Sequence, residues 1–388
     1  MSRPKTIYDE ITRPRPKATP LRLYGPYLLA VLLPLGFLAL FRAVRYDRAL
    51  VNTVIWQVTT PLKHAVARMC SHLPFAMAEV IWTLAVLFLL ILVGQSLFVV
   101  LRSLFCRLQG RRAHPLRRFL RRALAILSAG LVIYSGYTAM WGINYYGDTF
   151  SQMSGLTGRE TTAEELAALA YAFANKCNEL SGQVIRDENG IFAGTPATVF
   201  DRSSGLYENL YDEFPCLDLD ESQAKPMFYS RLMSALGFTG FYFPFTGESL
   251  VNVDAPACLV PATVLHELAH QRNVASEAEA NFLAVIAGLK SDDTEFQYSS
   301  ALLGYIHLSN ALYTADRDLW RSVSAALNDD VRADLTDNSA YWAQFKTPAS
   351  DAAEAVYTSF AQSYEQRDIM KSYGDCVDLL AAYYLKEG

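Results

Sequence analysis

The chain has 388 residues, 52% of them hydrophobic, and a formal net charge of −5. Residues 1–147 contain 19 Lys and Arg against 4 Asp and Glu, whereas residues 148–388 contain 15 against 35. Because the basic residues flank apolar stretches and the second half is acidic, the composition excludes the basic surface of a nucleic-acid-binding protein, and we expect no nucleic-acid partner.

Three uncharged apolar stretches in the first half are long enough to cross a lipid bilayer, which takes about 20 residues. They are residues 23–41, 80–101 and 123–143. The first exceeds the usual hydrophobic region of a signal peptide, so we interpret it as a retained anchor. The sequence therefore predicts a tail over 1–22, a membrane domain over 23–147 and a further domain over 148–388.

Arginine placement predicts the orientation of these spans. Residues 102–122, between the second and third spans, contain eight arginines and no acidic residue, which is typical of a cytoplasmic loop. Five basic residues in the range 42–68 lie in the first loop, on the side predicted to face outward. With three spans, the basic N-terminal tail is cytoplasmic and the domain over 148–388 is extracytoplasmic.

Four cysteines are widely spaced through the predicted outer domain: Cys177, Cys216, Cys258 and Cys376. Without a Cys-x-x-Cys pair, they do not indicate a cysteine zinc site. One or two disulfides and unpaired thiols are both compatible with their spacing.

The outer domain is predicted to be mainly helical, with one short β element. Thr162 and Glu165 have capping-box spacing at the start of an amphipathic helix. The aromatic range 237–254, interrupted by glycines and a proline, indicates a hairpin or an edge strand. Pro261 suits the first turn of a helix that runs to His270, and helices continue after residue 276.

The sequence HELAH at residues 266–270 is the strongest indication of chemistry. His266 and His270 are one helical turn apart on one face, so their imidazoles can bind a single Zn²⁺. Glu267 follows about 100° around the helix, where it can take a proton from a zinc-activated water. The spacing therefore predicts two metal ligands and a general base.

A third zinc ligand is predicted from the segment that follows. Asn273 tolerates the left-handed conformation that ends a helix, and Ser276 can cap the next one. That second helix begins with Glu277 and Glu279. We choose Glu277 because it resembles the glutamate of the E-x-x-A-N segment in gluzincin peptidases, although their connection is usually longer; Glu279 remains the alternative.

Tyr242 and Phe243 are candidates for substrate binding. Zincins pair an extended peptide with an edge strand, and these residues lie in the predicted β element. A packed aromatic core explains the same residues equally well.

Several blocks together resemble a bacterial family of membrane proteins, domain-of-unknown-function family 3810. They are WGINYYG at 141–147, KPMFYSRLMS at 225–234, GFTGFYFPFTGE at 237–248, VN at 251–252 and HELAHQRNVASEAEANF at 266–282. The resemblance implies N-terminal spans in the bacterial inner membrane, followed by a zincin-like domain with zinc bound at H-E-x-x-H. The chain departs from this pattern at Asn273, where relatives commonly have glycine.

The fold class expected is a mainly α membrane protein whose three N-terminal transmembrane helices precede an α-rich α+β zincin-like domain. The function expected is that of a membrane-anchored zinc metallopeptidase acting on peptides or proteins of the cell envelope. The alternative is a non-catalytic envelope protein that uses a zincin-like fold for binding or scaffolding. An intramembrane peptidase is disfavoured, because the polar residues around HELAH would be costly at membrane depth.

Overall fold

The computed structural model describes residues 20–109, 115–194, 196–364 and 369–385. Its α-helices are α1 (Pro20–Val44), α2 (Arg48–Val54), α3 (Thr60–Ser71), α4 (Met77–Leu108), α5 (Pro115–Met140), α6 (Phe150–Ser154), α7 (Ala163–Ser181), α8 (Pro196–Arg202), α9 (Ser230–Ala235), α10 (Val260–Gln271), α11 (Glu277–Leu289), α12 (Thr294–Ala315), α13 (Arg317–Ala325), α14 (Asp329–Ala343), α15 (Pro348–Ser363) and α16 (Ile369–Tyr384). Its strands are β1 (Lys225–Pro226), β2 (Gly240–Phe243) and β3 (Glu248–Val251). The prediction of a mainly α protein with a short hairpin is confirmed.

Three helices are long and apolar enough to cross a membrane. The candidate spans are Gly25–Val44 in α1, Met77–Arg102 in α4 and Arg122–Met140 in α5, close to the predicted positions. Their leucines, such as Leu32 and Leu90, are largely exposed. Exposed apolar stretches of this length are unfavourable in water and suit a lipid environment. The predicted tail over 1–22 lies mostly outside the described residues.

The chain divides into two compact units. One contains the described residues up to Ala43 and the range Val86–Gly136, and the other contains Val44–Ala85 and the chain from Tyr137 onward. The connection between the first two spans belongs to the second unit. Its buried positions recur about every four residues from Val51 to Ala67 and form a stripe that packs within this unit.

The core of the second unit is helical and surrounds α11. Nearly every residue of α11 is buried, including the bulky Phe282, and α10 is almost as enclosed. Helix α7 begins as predicted: Thr162 accepts from the backbone N–H of Glu165, and the Glu165 side chain completes the capping box. Helices buried on all sides have little freedom to move, so α10 and α11 form a rigid support.

The three strands form one small mixed sheet in the order β1-β3-β2. Strand β2 is antiparallel to β3, with Gly240 opposite Val251 and Phe243 opposite Glu248, and β1 is parallel to β3. The turn between β2 and β3 uses Gly247 at φ 66°, a conformation that suits glycine. Strand β2 is therefore an outer strand of the sheet.

The four cysteines of the outer domain are unpaired thiols in the described structure. Cys177, Cys258 and Cys376 are buried, and burial raises the pKa of each thiol. Of the two alternatives left by the sequence, the structure has the unpaired thiols, which act as small core residues.

Candidate metal centre

Helices α10 and α11 are joined by a tight turn that reverses the chain. Pro261 lies in the first turn of α10, and the turn after α10 uses Asn273 at φ 65°, the one non-glycine residue with positive φ among those described. Ser276 caps α11 by accepting from the backbone N–H of Glu279. The predicted helix ends and left-handed asparagine are confirmed, and the turn returns the first residue of α11 to the histidines of α10.

Three side-chain atoms converge at this place: His266 Nε2, His270 Nε2 and Glu277 Oε2. The two nitrogens are 3.1 Å apart, and the Glu277 oxygen lies 3.1 Å from His266 Nε2 and 3.8 Å from His270 Nε2. Ligands about 2.0–2.1 Å from a tetrahedral zinc ion are separated by roughly 3.3 Å. The donor set and its spacing thus fit a tetrahedral ion with three protein ligands.

Further hydrogen bonds fix the orientation of each of the three side chains. His270 Nδ1 lies 2.7 Å from the Val274 carbonyl oxygen, and His266 Nδ1 lies 2.9 Å from Asn281 Oδ1. Because a carbonyl oxygen only accepts, His270 Nδ1 carries hydrogen, which in the neutral ring leaves the Nε2 lone pair free to bind a metal ion. The Tyr357 hydroxyl donates to Glu277 Oε1 at 2.9 Å, which leaves Oε2 for a cation.

Charges at the cluster favour a cation between the three side chains. Burial would raise the pKa of Glu277, but hydrogen bonds to His266 and His270 hold it well below its usual value. Burial would lower the pKa of His270, but bonding to Glu277 raises it to about 9. The opposite directions of the two pKa shifts describe a protonated His270 beside an ionised Glu277, and a cation bound between these side chains would take the place of that proton.

Glu267 lies beside the cluster but does not belong to it. Its side chain is 3% exposed, and its Oε2 has no hydrogen-bond partner among the described residues. Burial raises the pKa of Glu267 to about 7, although the nearby histidines oppose the increase. A carboxylate with an unused oxygen and a near-neutral pKa is suited to accept and return protons.

The structure separates the two glutamates that the sequence left as alternatives. The Glu279 carboxylate accepts from the backbone N–H of Phe150 at 3.1 Å and of Ser151 at 2.9 Å, and from the Ser151 hydroxyl at 2.8 Å. These bonds hold the start of α6, where orphan N–H groups favour an anion. Glu277 is the glutamate that the structure brings to the histidines.

Tyr242 and Phe243 lie on β2 in different surroundings. The Tyr242 ring packs on Trp141 at a centroid distance of 5.0 Å, and Trp141 stands edge-on to His270 at 5.7 Å. Phe243 is buried in a separate apolar cluster with Met227 and Leu250. The Trp141 ring therefore lies between Tyr242 and the candidate ligand His270, whereas Phe243 packs as a core residue.

Several residues around the site were not found from sequence. Lys63, fully buried on α3, donates to Asn273 Oδ1, and its amine lies 5.3 Å from the centre of the Trp141 ring. Burial lowers the pKa of the Lys63 ammonium to about 7. A single lysine in a connecting segment gives no sequence signal, since its partner is 210 positions away.

Gly240 is a second residue that sequence reasoning missed. A Cβ added there would lie 2.7 Å from Glu267 Oε1 and 2.9 Å from the Leu250 carbonyl oxygen. Such distances are below van der Waals contact, so only glycine lets β2 approach Glu267 this closely.

Comparison with known proteins identifies one family. A family model described as "Protein of unknown function (DUF3810)" matches residues 57–381. No curated protein and no solved structure matches the chain.

Proposed function

The chain belongs to the DUF3810 family of proteins of unknown function, and from its His-His-Glu cluster we propose that it is a membrane-anchored zinc metallopeptidase. The observation that carries the proposal is the convergence of His266, His270 and Glu277 beside the unpartnered carboxylate oxygen of Glu267. A purely structural zinc site needs no such base. The arrangement of α10, α11 and the outer strand β2 supports a zincin-like domain.

His266, His270 and Glu277 would hold the ion as two nitrogen ligands and one oxygen ligand, a donor set typical of catalytic zinc sites. Zinc bound there would supply a Lewis acid that polarises a peptide carbonyl and acidifies a water molecule. Tyr357 and Asn281 hold the ligands in orientation through their hydrogen bonds.

Glu267 would accept the proton of the attacking water through its free Oε2 and pass it to the leaving amine. Strand β2 would bind the substrate backbone along its outer edge, opposite β3. An extended peptide there would lie next to Gly240 and thus close to Glu267. The substrate is accordingly a peptide or protein in an extended conformation.

The proposed location is the bacterial inner membrane, with the site on its outer side. The arginine-rich range 102–122 favours a cytoplasmic loop between the second and third spans, which puts the chain from Tyr137 onward outside. The substrate would then belong to the cell envelope.

Metal analysis of the full-length protein in detergent tests the proposal. The wild type, supplied with zinc and then dialysed, should retain about one zinc per chain, while His266→Ala should retain almost none because a ligand is lost. His72→Ala is the matched control, since His72 is exposed and lies outside the cluster. A wild type that binds no zinc would refute the proposal.

Gly240→Ala should slow hydrolysis with zinc content unchanged. The added methyl group must displace the Glu267 carboxylate or β2, and a misplacement of about 1 Å can cost on the order of 10²-fold in rate. Steady-state kcat on a soluble peptide is the measurement. Gly182→Ala, at the open end of α7, is the control and should keep the wild-type kcat. Equal rates for Gly240→Ala and wild type would show that this contact does not position Glu267.

A further inference from the structure

An exposed apolar patch lies at the start of α9. Phe228 is 84% exposed and Leu232 is 55% exposed, and Tyr229 lies between them in sequence, partly exposed. We call these three residues the aromatic patch. Large apolar side chains this open to water are unfavourable, and a group of them marks a surface that contacts another apolar phase.

The aromatic patch is attached to the beginning of a candidate membrane span. The backbone N–H groups of Phe228 and Tyr229 donate to the Glu79 carboxylate at 3.0 and 2.9 Å. The Tyr229 hydroxyl lies 2.9 Å from the hydroxyl of Thr83. Glu79 and Thr83 belong to the first two turns of α4, so these bonds fix the patch at the end of the span.

The first turns of this span have residues typical of a membrane surface. The range Met77–Arg102 has 26 residues and is about 39 Å long at 1.5 Å per residue, which exceeds a hydrocarbon core of about 30 Å. Trp82, 53% exposed, lies one turn beyond Glu79. Tryptophan and tyrosine are enriched where a span enters the headgroup region, so Trp82 and Tyr229 mark that level.

The connection between the first two spans also exposes apolar side chains. Val58, Leu62 and Met69 are all exposed at roughly helical spacing, about 100° around the helix from the buried residues that follow each of them in sequence. Because this segment connects two consecutive spans, both of its ends lie at the same membrane surface. Its outward apolar face matches a helix lying in the interface.

The candidate metal centre is connected to Trp82 through strand β2. The Trp82 ring packs on Phe243 at a centroid distance of 5.9 Å. Phe243 ends β2, and Gly240, the first residue of this strand, touches Glu267. Four strand residues cover about 10 Å, so Glu267 lies roughly that far along β2 from the contact with Trp82.

We infer that the aromatic patch docks into the membrane leaflet that α4 enters, and that the substrate is a membrane-anchored polypeptide cleaved a few residues from its anchor. The second part rests on the proposed peptidase function. With Phe228 and Leu232 in the lipid, the outer edge of β2 is held at the membrane surface. A substrate polypeptide that emerges from the bilayer would then need only a few residues to reach this edge.

Docking is tested without any activity measurement. The full-length protein, labelled with an environment-sensitive fluorophore at Phe228→Cys, is placed in nanodiscs with brominated lipids. The control label is at Ile185→Cys, on an exposed apolar residue remote in sequence from the spans. Lipid bromine should quench the probe at position 228 and leave the probe at position 185 bright; equal quenching at both would overturn docking.

Substrate class is tested in proteoliposomes with one peptide sequence in three forms: soluble, lipid-anchored through a short spacer, and lipid-anchored through a long flexible spacer. The short-spacer form should be cleaved at least about tenfold faster than the long-spacer form, because its effective concentration at a surface site is higher. Phe228→Ser with Leu232→Ser should reduce that preference and leave zinc content and soluble-peptide cleavage unchanged; Ile185→Ser should change neither.

The outcomes separate the two proposals. Cleavage of all three forms at equal rates by a zinc-loaded wild type would overturn the membrane-anchored substrate and leave the peptidase intact. A wild type that binds no zinc and cleaves none of the forms would overturn the peptidase, whereas quenching at position 228 would still establish docking.

Discussion

Replacing Glu267 by glutamine is expected to abolish peptide hydrolysis while the protein still binds about one zinc ion per chain. Glutamine has nearly the same shape but cannot accept the proton of the attacking water. General-base catalysis contributes about 10²–10⁴-fold, equivalent to roughly 3–5 kcal/mol in activation free energy. Because Glu267 is outside the ligand cluster, zinc binding should be preserved.

The stability of Glu267→Gln provides a second measurement on the same sample. The wild-type carboxylate is buried with an unpartnered oxygen, which is an unfavourable state for a charged group. The amide carries no charge, so the melting temperature of the variant should equal or exceed that of the wild type. A loss of function with a gain in stability is characteristic of a residue kept for chemistry.

A peptide-library digest by the zinc-loaded wild type and Glu267→Gln decides between the two functions considered. Cleavage by the wild type alone supports the peptidase. Equal activity in both proteins would remove Glu267 from the reaction and favour a non-catalytic binding or scaffolding role. Glu208→Gln, a substitution of the same kind outside the site, controls for effects of expression and purification.

The features predicted from sequence are those whose signals are local. The capping box of Thr162 and Glu165 and the spacing of His266 and His270 are each encoded within four or five residues. Asn273 belongs to the same class, because its left-handed conformation follows from a helix that must end and reverse. Such patterns involve residues close together in the sequence, so they can be recognised without knowledge of the tertiary structure.

The features missed depend on contacts between distant parts of the chain. Lys63 and Asn273 are 210 residues apart, and Tyr357 reaches Glu277 across 80 residues. From the sequence, Gly240 is an ordinary glycine of a hairpin, and only the structure shows that Glu267 lies beside it. Likewise, the buried stripe of the connection between the first two spans has a partner only once the C-terminal domain is folded.

Substitution of the two glutamates at the start of α11 is expected to affect different properties, zinc binding for Glu277 and stability for Glu279. Glu277→Gln should lose most of its zinc on dialysis, because a neutral amide oxygen is a far weaker ligand than a carboxylate. Glu279→Gln should keep its zinc and lose stability, since the charge that accepts two backbone N–H groups and the Ser151 hydroxyl is removed. Hydrogen bonds to a charged group contribute about 1.5–3 kcal/mol, of which a glutamine oxygen recovers part.

Zinc content and thermal unfolding of both variants, measured side by side in the same detergent, form a matched experiment because the substitutions are chemically identical and two positions apart. The expected result is zinc loss in Glu277→Gln and a melting temperature lower by roughly 2–4 °C in Glu279→Gln loaded with zinc. The reverse pattern would transfer the third ligand to Glu279 and would require the start of α6 to release its carboxylate. Retention of zinc by both variants would leave only the two histidines as protein ligands. That result would contradict the three-ligand site. The assignment of Glu267 as a general base depends on this site, because three protein ligands leave one coordination position of the zinc open.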